Sequence, residues 1–308
     1  LWDGGSVPGS LRAKRSDAEV VGMRAAQRWL DHYGQQARAW LDQAPDVARS
    51  WAQRWDLAMG APLEGGSVSV VFSVEREDGP AVLKLAAPWS RWSREEAAAL
   101  RVWGGHGAIR LLAASDDARA LLLERVSPGT AATGMTAADF AAVLGKLSRP
   151  AVPPGMPSLA DALRLRFDRA TENRHGLVSA ARISRARRHA VELAGTLQCP
   201  SVLCHGDLLS KNVLVSHDRG LLAIDPNPCV GHQAYDAAQW AVTETPVADA
   251  PERAADLAAA LGIPADDVLR WVCVLTAVEV CLASLTRAQE SLELARRLGA
   301  EWLRDGQS

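Results

Sequence analysis

The residue types best suited to chemistry lie in one short segment, His205-Gly206-Asp207-Leu208-Leu209-Ser210-Lys211-Asn212, and at Asp225 soon after it. Asp207 and Asn212 are five residues apart, and Asp225 ends a short apolar run. Phosphoryl transfer requires a carboxylate that orients the hydroxyl nucleophile and oxygen ligands that hold Mg²⁺ against the phosphates of ATP. Taken singly, each residue is more often part of a turn, but turns do not explain all three at this spacing. The pattern predicts Asp207 as the catalytic carboxylate and Asn212 and Asp225 as magnesium ligands.

The spacing H-x-D-x-x-x-x-N is typical of protein kinases, but this chain has H-G-D and I-D-P where those have H-R-D and D-F-G. These motifs resemble the aminoglycoside phosphotransferase family. The run I-D-P-N-P-C-V-G-H-Q-A-Y-D at 224–236 is similar to its streptomycin 6-phosphotransferase and hydroxyurea phosphotransferase branch, as is E-A-A-A-L-R-V-W at 96–103. The similarity extends over roughly positions 30 to 285 and is strongest in the catalytic segment.

The periodicity along the chain changes in a way that fits the fold of this family. Helical patterns between 17 and 55, divided by Gly34 and Pro45, come before alternating strands that flank the turn at Glu77-Asp78-Gly79. After 137 most segments are helical. We therefore expect an α+β, bilobal, protein-kinase-like fold, with a mobile tail at 1–16. A small N-lobe with an antiparallel sheet should occupy 17–126, and a larger, mostly helical C-lobe 127–308.

The resemblance also implies a set of nucleotide-binding residues. Lys84, in the strand Ala81-Val82-Leu83-Lys84-Leu85, corresponds to the lysine that contacts ATP phosphates. Glu96 is its expected carboxylate partner. Backbone amides of a glycine-rich turn should approach a phosphate, and the hinge after the next strands should bind adenine. The residues of this turn and hinge are Gly65, Gly66, Ser67, Glu124 and Val126.

The remaining candidates either brace the catalytic segment or receive the acceptor. His205 and Asp236 match family positions that support this segment through hydrogen bonds. A cationic acceptor would be received by carboxylates with aromatic walls, and the candidates are Asp236, Trp240, Glu244, Trp271 and Glu279. Leu209 stands where many relatives have His, and the helix at 269–285 differs more from the family than the catalytic segment does. The chemistry is expected to be retained, while the identity of the acceptor stays open.

Composition excludes several classes of protein. The chain has 308 residues, 48% of them apolar and 23% charged, with a net charge of −2 that gives no nucleic-acid footprint. Five cysteines without C-x-x-C pairs fit buried thiols in a reducing cytoplasm. An apolar span of the length that crosses a membrane is absent from the sequence. We expect a cytoplasmic protein that is a monomer or a weak homodimer.

Together these features predict an enzyme that uses ATP and Mg²⁺ to phosphorylate a hydroxyl of a cationic antibiotic. A streptomycin-type aminoglycoside is the first expectation. A cyclic basic peptide antibiotic of the capreomycin or viomycin type, and a small-metabolite kinase of the same fold, remain alternatives. A non-catalytic scaffold is disfavoured because it would not need Lys84, Asp207, Asn212 and Asp225 together.

Overall fold

A computed structural model describes residues 30–31, 33–63, 69–148, 151–196 and 200–304. These residues form two compact units. One is the described part of Leu1–Ser90 together with Arg119–Leu122, and the other is Arg91–Ala118 with the described part of Leu123–Ser308. The tail predicted at 1–16 and the turn Gly65-Gly66-Ser67 lie outside the described residues. Among those described, no helix combines the length and apolar character that crossing a bilayer requires.

Nine helices and ten strands of the described chain position the functional residues. The helices are α1 (Gln35–Arg54), α2 (Ser93–Trp103), α3 (Ala137–Leu147), α4 (Leu159–Ala170), α5 (Ala180–Thr196), α6 (Gln233–Thr243), α7 (Ala250–Leu261), α8 (Ala265–Leu282) and α9 (Leu285–Arg297). The strands are β1 (Ala58–Pro62), β2 (Ser69–Arg76), β3 (Gly79–Ala86), β4 (Leu111–Ala114), β5 (Ala120–Glu124), β6 (Pro128–Ala131), β7 (Val202–Cys204), β8 (Val213–Ser216), β9 (Gly220–Ala223) and β10 (Cys229–Gly231).

The first unit is a small sheet with one described helix, α1. Strands β2 and β3 form an antiparallel hairpin at the predicted turn, with Arg76 opposite Gly79 and Val71 opposite Lys84. The strand order in this unit is β1-β2-β3-β5. The alternating apolar residues of β2 and β3 are buried, which explains why this segment forms strands.

One prediction for this unit is wrong, because Pro45 does not divide the helical segment. It lies inside α1, which continues from Gln35 to Arg54. Proline removes one backbone hydrogen bond and usually disfavours a helix interior. Here a continuous stripe of buried side chains offsets that cost through packing. The stripe consists of Ala37, Leu41, Ala44, Ala48 and Ala52.

The second unit is mostly helical, as predicted for the larger lobe. Helix α8 packs against α6, α7 and α9, and α4 packs against α5. Its largest fully buried side chains include Trp240, Trp271 and Phe140. Two small antiparallel sheets, β7 with β10 and β6-β8-β9, connect these helices to the segment that contains Asp207. The small antiparallel sheet and the larger helical unit agree with the predicted bilobal α+β fold.

Candidate active site

Two strand pairings bring the predicted catalytic residues together. In the β8–β9 hairpin Val213 lies opposite Ala223, and the Ile224 N–H donates to the Asn212 carbonyl at 2.9 Å. Asn212 and Asp225 therefore lie at the same end of this hairpin. In the other pair Cys204 lies opposite Cys229, so the segment beginning at His205 leaves the sheet beside the segment that follows Asp225. The sequence separates these residues, but hydrogen-bond register places them at one site.

The Asp207 carboxylate is held on both oxygens by side-chain amides. Gln239 Nε2 donates to Oδ1 at 3.1 Å, and Asn212 Nδ2 donates to Oδ2 at 2.9 Å. Lys211 Nζ lies 3.9 Å from Oδ2, but its side chain is 65% exposed, so this ion pair contributes little. The Asp207 side chain is 23% exposed and can still be reached by another molecule. A fixed, accessible carboxylate is suited to orienting a hydroxyl group.

The residues predicted to bind magnesium supply oxygen donors, which this ion prefers. The Asn212 amide nitrogen donates to the Asp207 carbonyl at 2.8 Å as well as to the carboxylate, which leaves Oδ1 as the free end of the amide. Asp225 is half-buried two residues beyond Ala223, the last paired residue of the hairpin. Its backbone φ of 55° is unusual for a residue other than glycine, and such conformations concentrate at functional sites. This donor set fits Mg²⁺.

Beneath the catalytic segment lie the two residues predicted to brace it. The backbone N–H groups of His205 and Gly206 donate to the fully buried Asp236 carboxylate at 2.8 and 2.9 Å. His205 Nδ1 accepts from the Asp207 N–H at 3.3 Å, so Nε2 donates to the Ile224 carbonyl at 3.1 Å. Burial raises the pKa of Asp236 to about 6, although the two backbone donors act in the opposite direction.

Helix α6 supplies further contacts that the sequence analysis missed. Gln239, one turn beyond Asp236, binds Asp207, and Trp240 Nε1 donates to Ser210 Oγ at 3.0 Å. The Ser210 hydroxyl in turn donates to Glu244 Oε1 at 2.6 Å. Positions three and four apart share one face of a helix. The helical spacing from Asp236 was the available signal for Gln239.

Three of the predicted acceptor residues, Asp236, Trp240 and Trp271, have buried side chains, and their acceptor roles stay predictions. Asp236 is 0% exposed, and both carboxylate oxygens bind backbone groups. Trp240 is 2% exposed and stacks on Phe140 with ring centroids 4.9 Å apart. Trp271 is 0% exposed and meets Tyr235 edge to face at 5.3 Å. The two tryptophans pack in the core beneath the site, as large aromatic side chains commonly do. Asp236 instead fixes the backbone of the catalytic segment.

The two remaining acceptor candidates already have partners. Glu279 pairs with Arg287 at 3.1 Å, and these side chains are 13% and 20% exposed. Arg287 also donates to the Val242 carbonyl at 3.0 Å, which ties this pair to the end of α6. Glu244 accepts from Ser210. Both carboxylates therefore already have partners, which a cationic acceptor would have to replace.

An arginine near the catalytic carboxylate was also missed. Several arginines lie at helical spacing between 164 and 188, a pattern typical of a solvated helical face. Arg166 instead donates to the Tyr235 hydroxyl at 3.3 Å. Burial lowers the pKa of the Arg166 guanidinium, but interactions with Tyr235, Asp207 and Glu279 outweigh it and raise the pKa. The Arg166 guanidinium is therefore a positive charge within the electrostatic environment of Asp207.

The nucleotide candidates are distributed over both units. Lys84 lies on β3 of the first unit and is 7% exposed, while Glu96 lies on α2 of the second and is 6% exposed. The Glu124 carboxylate accepts from the Arg110 N–H at 2.8 Å and binds Arg219, so it is a structural anchor. Val126 is half-buried just beyond β5. Their nucleotide-binding roles stay predictions.

Comparison with known proteins identifies the family. A family model described as aminoglycoside/hydroxyurea antibiotic resistance kinase matches residues 54–282. The chain belongs to this family. Over 223 residues it is 31% identical to streptomycin 6-kinase from Streptomyces griseus, a match that covers 69% of this chain and 70% of that protein. It is 32% identical over 193 residues to hydroxyurea phosphotransferase from Kitasatospora aureofaciens, covering 60% of this chain but only 56% of that protein. The predicted family branch is confirmed.

A solved structure confirms the fold independently of close sequence similarity. Choline kinase LicA from Streptococcus pneumoniae matches with a TM-score of 0.56 at 11% identity, covering 83% of this chain and 98% of that one. At this level of identity the match shows only the fold, which is the predicted kinase-like fold. Because the chain belongs to this kinase family and has a kinase-like fold, the protein is a small-molecule phosphotransferase.

Proposed function

We propose that this protein transfers the γ-phosphoryl group of ATP, with Mg²⁺, to a hydroxyl group of a streptomycin-type antibiotic and so confers resistance. The observation that carries the proposal is the accessible Asp207 carboxylate, fixed on both oxygens within a segment that Asn212 and Asp225 complete. Similarity to a streptomycin 6-kinase supports the choice of acceptor. A phosphate group would add about −1.5 to −2 charge and repel the drug from anionic ribosomal RNA.

In this proposal Asp207 accepts a hydrogen bond from the acceptor hydroxyl and holds its oxygen in line with the γ-phosphorus. The transition state of phosphoryl transfer is loose, so orientation contributes more than early proton removal. Asn212 Oδ1 and the Asp225 carboxylate would hold Mg²⁺, which supplies neutralisation of the phosphate charge when bound. Asp236 fixes the loop backbone through the N–H groups of His205 and Gly206.

A second acceptor class, small and uncharged like hydroxyurea, has specific support. Arg166 lies in the electrostatic environment of Asp207, and Arg287 already pairs with Glu279. The Glu279 carboxylate is thus not available to a polycationic acceptor, and the Arg166 guanidinium would repel one at Asp207, whereas an uncharged acceptor needs no carboxylate and meets no such repulsion. The similarity to a hydroxyurea phosphotransferase is consistent with this alternative.

The test is Mg²⁺-dependent ATP consumption with a panel of streptomycin, kanamycin, capreomycin, viomycin, hydroxyurea and choline. Mass spectrometry of each acceptor identifies any phosphorylated product, and Asp207→Asn serves as the blank. The proposal predicts turnover of streptomycin that disappears in the variant. Turnover of hydroxyurea alone would favour the uncharged acceptor, and turnover of choline alone would indicate a metabolite kinase. A phosphorylated product that persists undiminished in Asp207→Asn would refute the role given to Asp207.

A further inference from the structure

Gln239 stands out because it is polar, fully buried and directed at the catalytic segment. It is 0% exposed within α6, where most side chains are apolar. Its Nε2 donates to Asp207 Oδ1 at 3.1 Å. Asp236 precedes it by one helical turn on the same face and holds the backbone of the same segment. The helix therefore contacts the backbone and the carboxylate of this segment through two successive turns.

The carbonyl oxygen of the Gln239 amide, unlike its nitrogen, makes no hydrogen bond to the described residues. Gln239 Oε1 is buried and lacks a hydrogen-bond partner among the described residues. An unsatisfied buried carbonyl is destabilising, and an apolar side chain of similar size would avoid that cost. Packing alone therefore does not account for a glutamine at this position. Its distinguishing contribution is the donor that reaches Asp207.

We propose that Gln239 is a positioning residue that fixes the rotation of the Asp207 carboxylate for the incoming hydroxyl. Rotation of an aspartate carboxylate about its last bond has broad minima and is not fixed by the backbone. Gln239 on Oδ1 and Asn212 on Oδ2 together select one orientation. Because Asn212 is also assigned to magnesium, Gln239 is the member of this clamp whose role is confined to Asp207. The inference rests on the proposed catalytic role of Asp207.

The test compares three variants that separate the donor from the volume of the side chain. Gln239→Met keeps the length of the side chain but removes the donor, and Gln239→His restores a ring N–H at a similar reach. Thr276→Val is the control, because Thr276 is also 0% exposed and helical but donates only to the Cys273 carbonyl. For Gln239→Met we expect kcat to fall about tenfold to hundredfold, as for a lost hydrogen bond to a charged group, with KM for ATP unchanged.

Gln239→His should recover part of kcat, and Thr276→Val should leave it within about twofold of wild type. Thermal unfolding should show no loss of stability in Gln239→Met beyond that of the control, because the substitution also removes the unsatisfied Oε1. A crystal structure of Gln239→Met should show the Asp207 carboxylate rotated or in more than one orientation. Wild-type kcat in this variant, or a fixed carboxylate in its crystal structure, would overturn the inference.

Failure of the inference and failure of the proposed function give different results. If wild-type protein phosphorylates its acceptor but Gln239→Met matches it, only the positioning role is wrong. If wild type phosphorylates nothing in the panel, the proposed acceptor is wrong. The crystal structure of Gln239→Met still decides whether the amide orients Asp207, because that measurement requires no acceptor.

Discussion

The backbone at Gly206 makes the sharpest quantitative prediction, for the substitution Gly206→Ala. Its φ is +77°, and an added Cβ would lie 1.9 Å from the Asn227 carbonyl oxygen. Real Cβ contacts essentially never fall below 3.0 Å, so the two segments must separate by at least about 1.1 Å. The Asn227 N–H also donates to the His205 carbonyl at 2.9 Å, and the displacement would strain that bond. Asp207 and the segment after Asp225 would no longer keep their spacing.

Two costs add in Gly206→Ala, the strain of a left-handed backbone and the clash with Asn227, and a matched control variant separates them. Gly220→Ala introduces the same left-handed strain, with φ +71°, but its Cβ would meet nothing within 4 Å. That strain alone costs about 1–2 kcal/mol. Gly206→Ala adds an overpacking cost of about 1–3 kcal/mol. A displacement of about 1 Å in reacting groups can lower kcat about 100-fold, whereas Gly220→Ala should leave kcat near wild type.

The assay is steady-state phosphoryl transfer with urea unfolding of the same preparations. Rates are compared at temperatures where both variants remain folded, so that kcat reports geometry and not the folded fraction. The reasoning would be refuted by a Gly206→Ala enzyme with the kcat of Gly220→Ala. An equal loss of unfolding free energy in the two variants would show that the clash with Asn227 is relieved without cost.

Three further predictions concern stability. Asp236 has a pKa of about 6 against an ordinary 3.8, so the folded state binds more protons than the unfolded state between these values. Urea unfolding should show wild type losing up to about 3 kcal/mol relative to Asp236→Asn as pH rises through this window, and a constant difference would contradict it. Arg287→Met should cost more unfolding free energy than Glu279→Gln, roughly 2–4 against 1 kcal/mol, because it leaves a half-buried carboxylate unpaired; equal costs would oppose this. Trp240→Phe should lower the thermal midpoint by the equivalent of about 1 kcal/mol through loss of the bond to Ser210, and an unchanged midpoint would contradict the contact.

The sequence could predict the parts of the site whose geometry is set by short-range spacing. Asp207 and Asn212 belong to one turn of chain, and Asp225 follows a strand that pairs with the strand after Asn212. A five-residue spacing and a short hairpin leave few alternative arrangements, so the residue types and their separation suffice. The hairpin at Gly79 and the alternating burial of β2 were predictable for the same reason.

The acceptor side could not be predicted in this way, because side-chain orientation on a helix depends on what packs around it. Trp240 and Gln239 are neighbours in sequence, yet one stacks on Phe140 while the other reaches Asp207. The apolar stretches of α6 and α8 are buried almost all round, so periodicity does not mark the side that faces the site. A similar limit applies to Arg166, whose surrounding arginines indicated a solvated face.

The arrangement of charges has a consequence for how an acceptor is recognised. Glu279 pairs with Arg287 at 3.1 Å, and a cationic acceptor that used this carboxylate would have to displace a guanidinium that also binds the Val242 carbonyl. Removing one member of a poorly solvated pair is costly, so the exchange would yield little net binding free energy. The hydrogen bonds from Asn212 and Gln239 fix the Asp207 carboxylate. This fixed carboxylate can orient the hydroxyl of a charged or an uncharged acceptor. We therefore expect discrimination among acceptors to come mainly from the placement of the hydroxyl, with kcat varying more than KM across the panel.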